Sequence, residues 1–409
     1  MYKVLNGLRI VEGASFIAAP SCGLHLLQLG AEVIRFDPIG GGPDYLRWPQ
    51  SSSGASLYWE GLNKGKKSIA LDLSRPAGRE LAIRLATAPG ANAGIFLTNY
   101  PAQGFLAHER LAAIRPDQIT VRVLGWADGS PAVDYTINSA VGLPYITGPA
   151  ALSDAPVNHV LPAWDLLTGA SAAYALLAAE RFRRETGRGQ EVRVPLSDVA
   201  LATLSHLGQV AEVTLNGADR PRMGNELFGA FGRDFLTRDH QRIMLVAITA
   251  RQWSGMLKAL GLVEAVAQLE TELGVSFARD EGERFIHRAP LFALVEQALA
   301  GQVLAELTPA FDELGVCWGR YQTLTHALTK DARFADNPIL STVAHPSGVQ
   351  YPTAGPAVTF SGLDRASPPR APKLGEHTDA VLADLLGLPE HDIARLHDQG
   401  LVASSEEDH

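Results

Sequence analysis

Cysteine is scarce in this sequence. Only Cys22 and Cys317 occur among the 409 residues. Two thiols cannot build a disulfide framework or a cysteine-rich metal site within one subunit, so we expect a reducing compartment and place the protein in the cytoplasm. The 12 histidines form no HExxH motif and no other pair at metal-ligand spacing. We therefore predict that the protein holds no metal.

Long apolar runs and an excess of basic residues are also missing. No stretch reaches the roughly 18 continuous apolar residues that a membrane span needs, and the opening segment MYKVLNGLRIVEG has no apolar run of signal-peptide length. The 44 acidic residues outnumber the 35 basic ones, which gives a formal charge of -9. This balance offers no broad cationic surface for a nucleic-acid backbone. Neither a membrane nor a nucleic acid is expected as a partner.

Common nucleotide and hydrolase motifs are absent too. The run GGG at 40–42 lacks the GKS or GKT ending of a phosphate-binding P-loop, and the segment GASFIAAP lacks the G-x-G-x-x-G spacing of a dinucleotide site. No G-x-S-x-G elbow of a serine hydrolase occurs. Small residues at Ala18 and Ala19 fit either a tight turn or a ligand that approaches the backbone closely.

What is present indicates a folded α/β protein. Hydrophobic residues make up 46% and charged residues 19% of the chain, as in ordinary globular proteins, and the length predicts two or three folding units. Short apolar runs alternate with helical patterns through the first 200 residues, which is typical of a Rossmann-like parallel sheet flanked by helices. The predicted strands cover 8–14, 31–36, 68–73, 94–99 and 119–125.

The pattern changes beyond residue 214. Gly, Asp, Asn and Pro in LNGADRPRMGN, at 215–225, predict a linker after a large domain over 1–214. Residues 226–330, with a strand at 242–249 and then mostly helical periodicity, predict a smaller α/β domain. The segment 337–376 is rich in Pro, Gly and Ser, so we interpret 337–409 as an extended return segment followed by the last part of the large domain.

One acidic residue at the start of a helical pattern has two interpretations. Asp165 stands immediately before the Ala- and Leu-rich run LLTGASAAYALLAAERFRRE. Aspartate is among the commonest N-cap residues, so capping alone explains it. A carboxylate can also act as a covalent nucleophile toward an activated acyl group. A carboxylate that is fully engaged in capping bonds is a poorer nucleophile, so the two roles compete.

Several segments together resemble one enzyme family. They are LNGLRIVEG, PSCGLHLLQLGAEVIRFDP, LNKGKKSIALDL, TNYP, the D-x-x-T-G of Asp165 to Gly169, ETGRGQEVRV and APKLGEHT. In these the chain is similar to the class III coenzyme A transferases, which include formyl-CoA and carnitine-CoA transferases and 2-methylacyl-CoA racemases. The resemblance implies two interlocked subunits, each with a large Rossmann-like domain built from both chain ends and a small inserted domain.

The resemblance also assigns site residues. It implies that Asp165 is the catalytic nucleophile and that coenzyme A (CoA) enters as part of the substrate, with no tightly bound cofactor. The CoA contacts that it implies are Ile17, Ala18, Leu71, Asn99 and Tyr100, with Arg75 one place beyond a matching position. A second substrate carboxylate would need a counter-charge or hydrogen-bond donors. The candidates are Arg47, Tyr145 and Arg233, with Asp134 either near the thioester or capping a helix from Thr136.

The segments FDPIGGGPDYLRWP, VNHVLPAWDLLTG and GNELFGAFGRDF most resemble a branch of the family that shifts CoA between the two carboxyl ends of one dicarboxylate. Val133 replaces the histidine of the racemases, Thr98 replaces an acidic residue, and FGAFG at 228–232 stands where some members carry a glycine-rich lid. The alternatives are a CoA-transferase with a separate acid acceptor, a racemase, and a noncatalytic CoA-binding protein.

Overall fold

The computed structural model describes residues 1–152 and 154–405. The chain divides into two compact units. The first unit combines 1–141, 159–216 and the segment from 336 onward, and the second combines 142–158 and 217–335.

A parallel-dominated sheet organises the first unit. Seven strands of the described chain form it in the order β12-β3-β2-β1-β4-β5-β6, and only the β12–β3 pair is antiparallel. The strands are β1 Arg9–Gly13, β2 Glu32–Pro38, β3 Lys67–Leu71, β4 Ile95–Thr98, β5 Ile119–Leu124, β6 Gln190–Pro195 and β12 Val402–Ala403. The five strands predicted from sequence are confirmed as β1 to β5, and the sequence analysis missed β6 and β12. Apolar side chains on β1 to β5 are almost fully buried because helices cover the sheet.

Helices connect and cover these strands. They are α1 Ala18–Gln28, α2 Leu57–Asn63, α3 Pro76–Ala86, α4 His108–Ile114, α5 Asp134–Ala140, α7 Ala163–Thr186, α8 Leu196–His206, α9 Gln209–Asn216, α17 Thr378–Leu386 and α18 Glu390–Asp398. Of all the helices in the described ranges, none is both long and apolar enough to cross a membrane.

The return segment contains regular structure that its sequence did not predict. Within 337–376, an antiparallel hairpin of β10 Leu340–Ala344 and β11 Gln350–Ala354 forms where an extended segment was expected. Pro352 is tolerated because a two-stranded sheet leaves each strand with an outer edge where an N–H is not required. Gly348 supplies the positive φ of +81° in the connecting turn. The prolines and glycines that argued against a strand therefore belong to the hairpin.

The second unit has an antiparallel sheet of its own. Strands β7 Phe231–Leu236, β8 Arg242–Ala247 and β9 Cys317–Arg320 form it in that order. Its helices are α6 Leu143–Ile146, α10 Ala250–Leu260, α11 Val263–Leu273, α12 Glu281–Ile286, α13 Arg288–Ala300, α14 Leu304–Glu313, α15 Leu324–Lys330 and α16 Ala332–Ala335. The core between β7, β8 and the helices is apolar and rich in aromatic rings, among them Phe231, Phe235, Trp253, Phe277, Phe292 and Phe311.

Candidate active site

Asp165 lies inside a helix and not before it. It is the third residue of α7, whose N-cap is Pro162. The prediction that Asp165 immediately precedes the helix is therefore wrong. Proline is tolerated here because an N–H at the start of a helix has no intrahelical acceptor, so the N–H that proline lacks costs no helical hydrogen bond, and its φ of -72° is compatible with a helix start. The capping role that competed with nucleophilic attack thus falls to another residue.

Asp134 provides the cap for α7. Its Oδ2 accepts hydrogen bonds from the backbone N–H of Trp164 at 2.7 Å and of Asp165 at 3.1 Å. Its Oδ1 lies 2.6 Å from Nε2 of His159. The expectation that Asp134 caps a helix from Thr136 is wrong, because α5 begins at Asp134 itself and the Thr136 hydroxyl accepts from the N–H of Val133. Because Asp134, which is distant in sequence, caps α7, the side chain of Asp165 is not needed as a cap.

The surroundings of the Asp165 carboxylate suit a nucleophile. No residue in the described part of the chain donates a hydrogen bond to it, and the residue is half-buried. Burial raises the pKa of Asp165 to about 7, the negative charge of Asp134 adds to the rise, and the positive charge of Arg47 opposes it. A carboxylate with few hydrogen bonds and a raised pKa is a better nucleophile than a fully solvated or capped one.

Arg47 and Tyr58 share this site with Asp165. The Arg47 guanidinium lies 5.6 Å from the ring centre of Phe16 and 5.5 Å from that of Tyr58. The Tyr58 hydroxyl is buried, and no described residue bonds to it. Burial raises the pKa of Tyr58, and the charge of Asp165 contributes to the rise. A buried hydroxyl without a protein partner is available to a ligand. The sequence analysis named Arg47 but missed Tyr58, since no motif marks the segment SLYWE.

A backbone turn beside the site is held in an unusual conformation. Phe16 has a φ of +70°, and its N–H donates to Asp44 Oδ2 at 3.0 Å. Asp44 Oδ1 lies 3.2 Å from Arg35 Nη2, which also contacts Asp37 Oδ1 at 2.7 Å. Left-handed backbone costs of order 1–3 kcal/mol for a residue with a side chain and persists only where the surroundings hold it. We call the buried charges Glu12, Arg35, Asp37, Asp44 and Lys66 the ionic network.

The ionic network explains several sequence signatures. Each of its five side chains is at most 2% exposed. Lys66 Nζ lies 2.8 Å from Glu12 Oε1 and donates to the Pro20 carbonyl at 2.9 Å. The motifs VEG, FDP, PDY and GKK therefore supply the opposite charges of one buried cluster. Because the network bonds to the backbone at Phe16 and at Pro20, it fixes the turn before α1 and the first turn of that helix.

Gly169 brings α1 and α7 together. A Cβ atom at this position would lie 2.0 Å from Ser21 Oγ and 2.7 Å from the carbonyl oxygen of Ala18. Only glycine allows this approach. The glycine of D-x-x-T-G therefore places the start of α1, with Ile17 and Ala18, against the turn of helix that follows Asp165.

The other predicted CoA residues lie at the carboxyl ends of β3 and β4. Asn99 bonds the backbone of Ser15, with 3.2 Å from the Ser15 N–H to Oδ1 and 2.8 Å from Nδ2 to the Ser15 carbonyl oxygen. Thr98 stands where the family has an acidic residue. Its hydroxyl donates to Gly13 O at 2.8 Å, so the side chain has a structural partner. A cavity of about 240 Å³ lies beside Tyr100 and is lined by Leu73, Tyr100, Pro101, Gln103, Phe105 and Leu106.

Three predicted site residues have protein partners or lie in the second unit. Arg75 is the N-cap of α3, and its Nη1 donates to the carbonyl of Gln399 at 2.5 Å. Tyr145 lies in α6 of the second unit with an exposed side chain. Arg233 lies in β7, where it forms an ion pair with Glu296. Part of the predicted lid, Phe231 and Gly232, also belongs to β7 and is buried.

Thiols and metal ligands give no separate site. Cys22 is buried and Cys317 is exposed, and both are free. Within 1–152 and 154–405 no group of three or more His, Cys, Asp or Glu side chains is placed to hold a metal ion.

Comparison with known proteins gives the class. The chain matches CoA-transferase family III over residues 5–378. It is 49% identical over 405 residues to 2-methylfumaryl-CoA isomerase of Chloroflexus aurantiacus, covering 98% of each chain. It is 29% identical over 414 residues to succinyl-CoA–D-citramalate CoA-transferase of the same organism, again covering 98% of each. A crystal structure of a CAIB/BAIF family protein from Brucella suis matches with a TM-score of 0.74 at 26% identity, covering 94% of this chain and 100% of that chain.

The protein therefore belongs to CoA-transferase family III and is an enzyme. Its relatives support a role as an isomerase or CoA-transferase that acts on CoA thioesters. The predicted resemblance and the α/β fold class are confirmed.

Proposed function

We propose that this enzyme moves CoA between the C1 and C4 carboxyl groups of mesaconyl-CoA, the reaction of a 2-methylfumaryl-CoA isomerase. The 49% identity over nearly the whole chain to an enzyme of that name supports the substrate. The observation that carries the proposal is the Asp165 carboxylate, which no described residue bonds and which shares its site with the Arg47 cation. A nucleophile beside a carboxylate-binding cation suits a dicarboxylic thioester.

The first half of the reaction transfers the acyl group to the enzyme. The ionised Asp165 attacks the thioester carbonyl, the C–S bond breaks, and CoA leaves as the thiolate with the bonding electron pair. The thiolate then attacks the Asp165 carbonyl of the mixed anhydride. This step releases the free dicarboxylate and leaves CoA bound to Asp165 as a thioester. Two easier displacements replace one difficult exchange.

The second half reverses these steps at the other end of the substrate. The dicarboxylate turns and attacks the aspartyl thioester through its second carboxylate, which gives a new anhydride and CoA thiolate. Attack of the thiolate on the substrate carbonyl regenerates the Asp165 carboxylate. Water must be excluded because the anhydride and the thioester both hydrolyse.

Arg47 and Tyr58 suit the retained dicarboxylate. The Arg47 guanidinium, packed between two rings, offers a fixed cation for the carboxylate that is not reacting. The Tyr58 hydroxyl, without a partner among the described residues, offers a hydrogen-bond donor. Asp134 acts through the backbone, because it binds the first amides of α7. Since Asp134 uses the N–H of Asp165, that amide is not free to stabilise an oxyanion. Tyr145 and Arg233 stay predicted substrate contacts.

The CoA portion would bind along the carboxyl ends of the strands. Ile17 and Ala18 at the start of α1, Leu71 at the end of β3, and the Asn99–Tyr100 pair after β4 form one edge of the first unit. The apolar cavity beside Tyr100 has room for a flat heterocycle such as adenine. Arg75 is half-exposed at the start of α3, where a flexible guanidinium can reach a phosphate.

A homodimer in the cytoplasm fits the surface and the thiols. The helix α9 has no buried residue, although it carries Val210, Val213 and Leu215. Tyr174 on α7 and Leu207 after α8 are also large and exposed. Such apolar area on a monomer is typical of an interface. We expect light scattering to give twice the chain mass and Leu215→Glu to weaken the dimer. The free thiols of Cys22 and Cys317 suit a reducing compartment.

The test supplies mesaconyl-C1-CoA without any added acceptor and separates the products by the position of the thioester. Mesaconyl-C4-CoA should form with wild-type enzyme and with the control Asp384→Asn, whose carboxylate is exposed on α17. Asp165→Asn should lose at least roughly 1000-fold in kcat, because no side chain can take its covalent role. Full turnover by Asp165→Asn would contradict the mechanism.

A transferase with a separate acceptor is the second candidate, favoured by the 29% identity to an enzyme named for two substrates. Isotope-labelled free mesaconate added to the assay distinguishes the two. Label entering the product would support intermolecular transfer, and its exclusion would support the proposal. With a saturated 2-methylacyl-CoA as substrate, exchange of its α-proton with deuterated solvent would instead indicate racemase chemistry.

A further inference from the structure

An imidazole stands behind the residue that caps the catalytic helix. His159 Nε2 lies 2.6 Å from Oδ1 of Asp134, and the other oxygen of Asp134 accepts the N–H groups of Trp164 and Asp165. One carboxylate therefore connects the ring of His159 to the backbone of the proposed nucleophile. His159 lies in the segment VNHVLPAWDLLTG, whose resemblance assigned no role to it.

We propose that His159 is a positioning residue for Asp165: it holds the Asp134 carboxylate against the start of α7, and its hydrogen bond offsets part of the negative charge that Asp134 directs at Asp165. The inference rests on the proposed role of Asp165 as the nucleophile.

Burial makes the bond to His159 consequential. Asp134 is only 1% exposed, so solvent cannot replace a lost donor at Oδ1 without rearrangement. The His159 ring packs edge-on against Tyr135, with 5.7 Å between ring centres. Its side chain is only 24% exposed, so the surrounding residues restrict its orientation. If Asp134 rotated or moved away from His159, its carboxylate could no longer accept hydrogen bonds from both amide groups of α7.

The charges around Asp165 give the direction of the effect. Asp134 on α5 faces it with a negative charge, Arg47 after β2 faces it with a positive charge, and the phenol of Tyr58 on α2 completes the titratable groups. A hydrogen bond from His159 to Oδ1 offsets part of the negative charge of Asp134. Removal of this donor therefore exposes Asp165 to more of that charge, and Asp165 becomes harder to ionise.

The experiment compares His159→Gln, His159→Phe and the control His391→Gln, whose histidine is exposed on α18. Gln can donate toward Asp134, whereas Phe cannot. We expect kcat to fall roughly 10- to 100-fold in His159→Phe through misplacement of Asp165 and to recover largely in His159→Gln. The low-pH limb of kcat should move to higher pH by about half a unit or more in His159→Phe, and stay in place in His159→Gln and in His391→Gln.

Titration of the Asp165 carboxyl by ¹³C NMR, assigned with Asp165→Asn, supplies a readout that needs no substrate. A higher midpoint in His159→Phe, with the wild-type midpoint kept in His159→Gln, supports the inference even if wild-type enzyme fails to move CoA, which would overturn the proposed function alone. An unchanged midpoint and an unchanged pH limb in His159→Phe would overturn the positioning role. A loss of kcat in His159→Phe that Gln does not restore, with lower thermal stability and no shift of the limb, would also overturn it and indicate a structural role.

Discussion

The two units bury very different side chains. The first unit encloses the ionic network, whose five charged side chains are at most 2% exposed. The core of the second unit is an apolar cluster that includes six aromatic rings, and the buried cation Arg284 lies over Trp253 and donates to backbone carbonyls instead of to buried carboxylates. Apolar packing is sufficient to fold a unit of this size, and buried ion pairs add little net stability because desolvation opposes them. We therefore interpret the role of the ionic network as positioning, because it bonds the backbone of the turn that opens the candidate site.

A second contrast separates carboxylates within the first unit. Asp37, Asp44 and Asp134 each accept two or more hydrogen bonds. Asp165 accepts none from the described residues. A carboxylate with several donors holds other groups in place, and one without donors is left for reaction. This difference distinguishes the proposed nucleophile from its supports.

The largest test of the comparison removes the centre of the ionic network. Arg35→Met leaves Glu12, Asp37 and Asp44 buried without their shared cation, which should lower the free energy of unfolding by about 3–5 kcal/mol. Urea unfolding followed by fluorescence measures the change. Arg181→Met is the control, because that side chain is 81% exposed, and it should change stability by less than about 0.5 kcal/mol. Equal changes in the free energy of unfolding for the two variants would contradict this role of the ionic network.

The next test concerns close helix packing in the first unit. Gly169→Ala places a methyl group against Ser21 and Ala18 and should destabilise by about 1–3 kcal/mol while lowering activity. Ser21→Ala in the same chain should relieve part of the effect, since the clash with the Ala18 carbonyl persists. Gly319→Ala in β9 is the matched control, because a Cβ there meets nothing within 4 Å. Equal melting temperatures for Gly169→Ala and Gly319→Ala would contradict the packing argument.

A third test separates function from stability at Asp165. Its folded-state pKa of about 7 lies above the unfolded value of about 3.9, so the folded state binds the proton more tightly. Wild-type enzyme should therefore lose stability as the pH rises from about 4 to 7, and Asp165→Asn should not. We expect the variant to be up to about 4 kcal/mol more stable at pH 8, with no advantage near pH 4. Parallel stability curves across this range would be inconsistent with a raised pKa.

The smallest effect is expected in the second unit. The Thr249 hydroxyl accepts the N–H of Gln252, and the Gln252 side chain accepts the N–H of Thr249, which makes a capping box for α10. Thr249→Ala should cost about 1 kcal/mol. The pH limb of kcat should stay where it is, because no charge changes. A shifted limb would show that the cap affects the chemistry of the first unit.

Local patterns in the sequence predicted the sheet well. Strands β1 to β5 are short apolar runs between helices, and such runs require no tertiary information. The strand β6 was missed because QEVRVP is polar in composition and is only partly buried. The hairpin of β10 and β11 was missed because Pro352 and Gly348 indicate turns when they are considered without their partner strand.

The candidate site was less predictable because its geometry depends on distant residues. Asp165 and Asp134 were both named, but which of them caps α7 depends on a contact across 31 positions. Tyr58 lies in a segment without a motif, and the resemblance of VNHVLPAWDLLTG gave His159 no role; only the folded chain brings Tyr58 beside Asp165 and His159 beside Asp134. The ionic network was present as separate signatures, and nothing in their spacing reveals that the five charges meet.

The most direct test of the account is to find an acyl bond on Asp165. Wild-type enzyme is incubated with mesaconyl-CoA, quenched with hydroxylamine, digested and analysed by mass spectrometry. We expect a hydroxamate on the peptide that contains Asp165, and none in Asp165→Asn. Turnover of the substrate with the Asp165 peptide unmodified, or a hydroxamate on any other carboxylate in its place, would contradict the account.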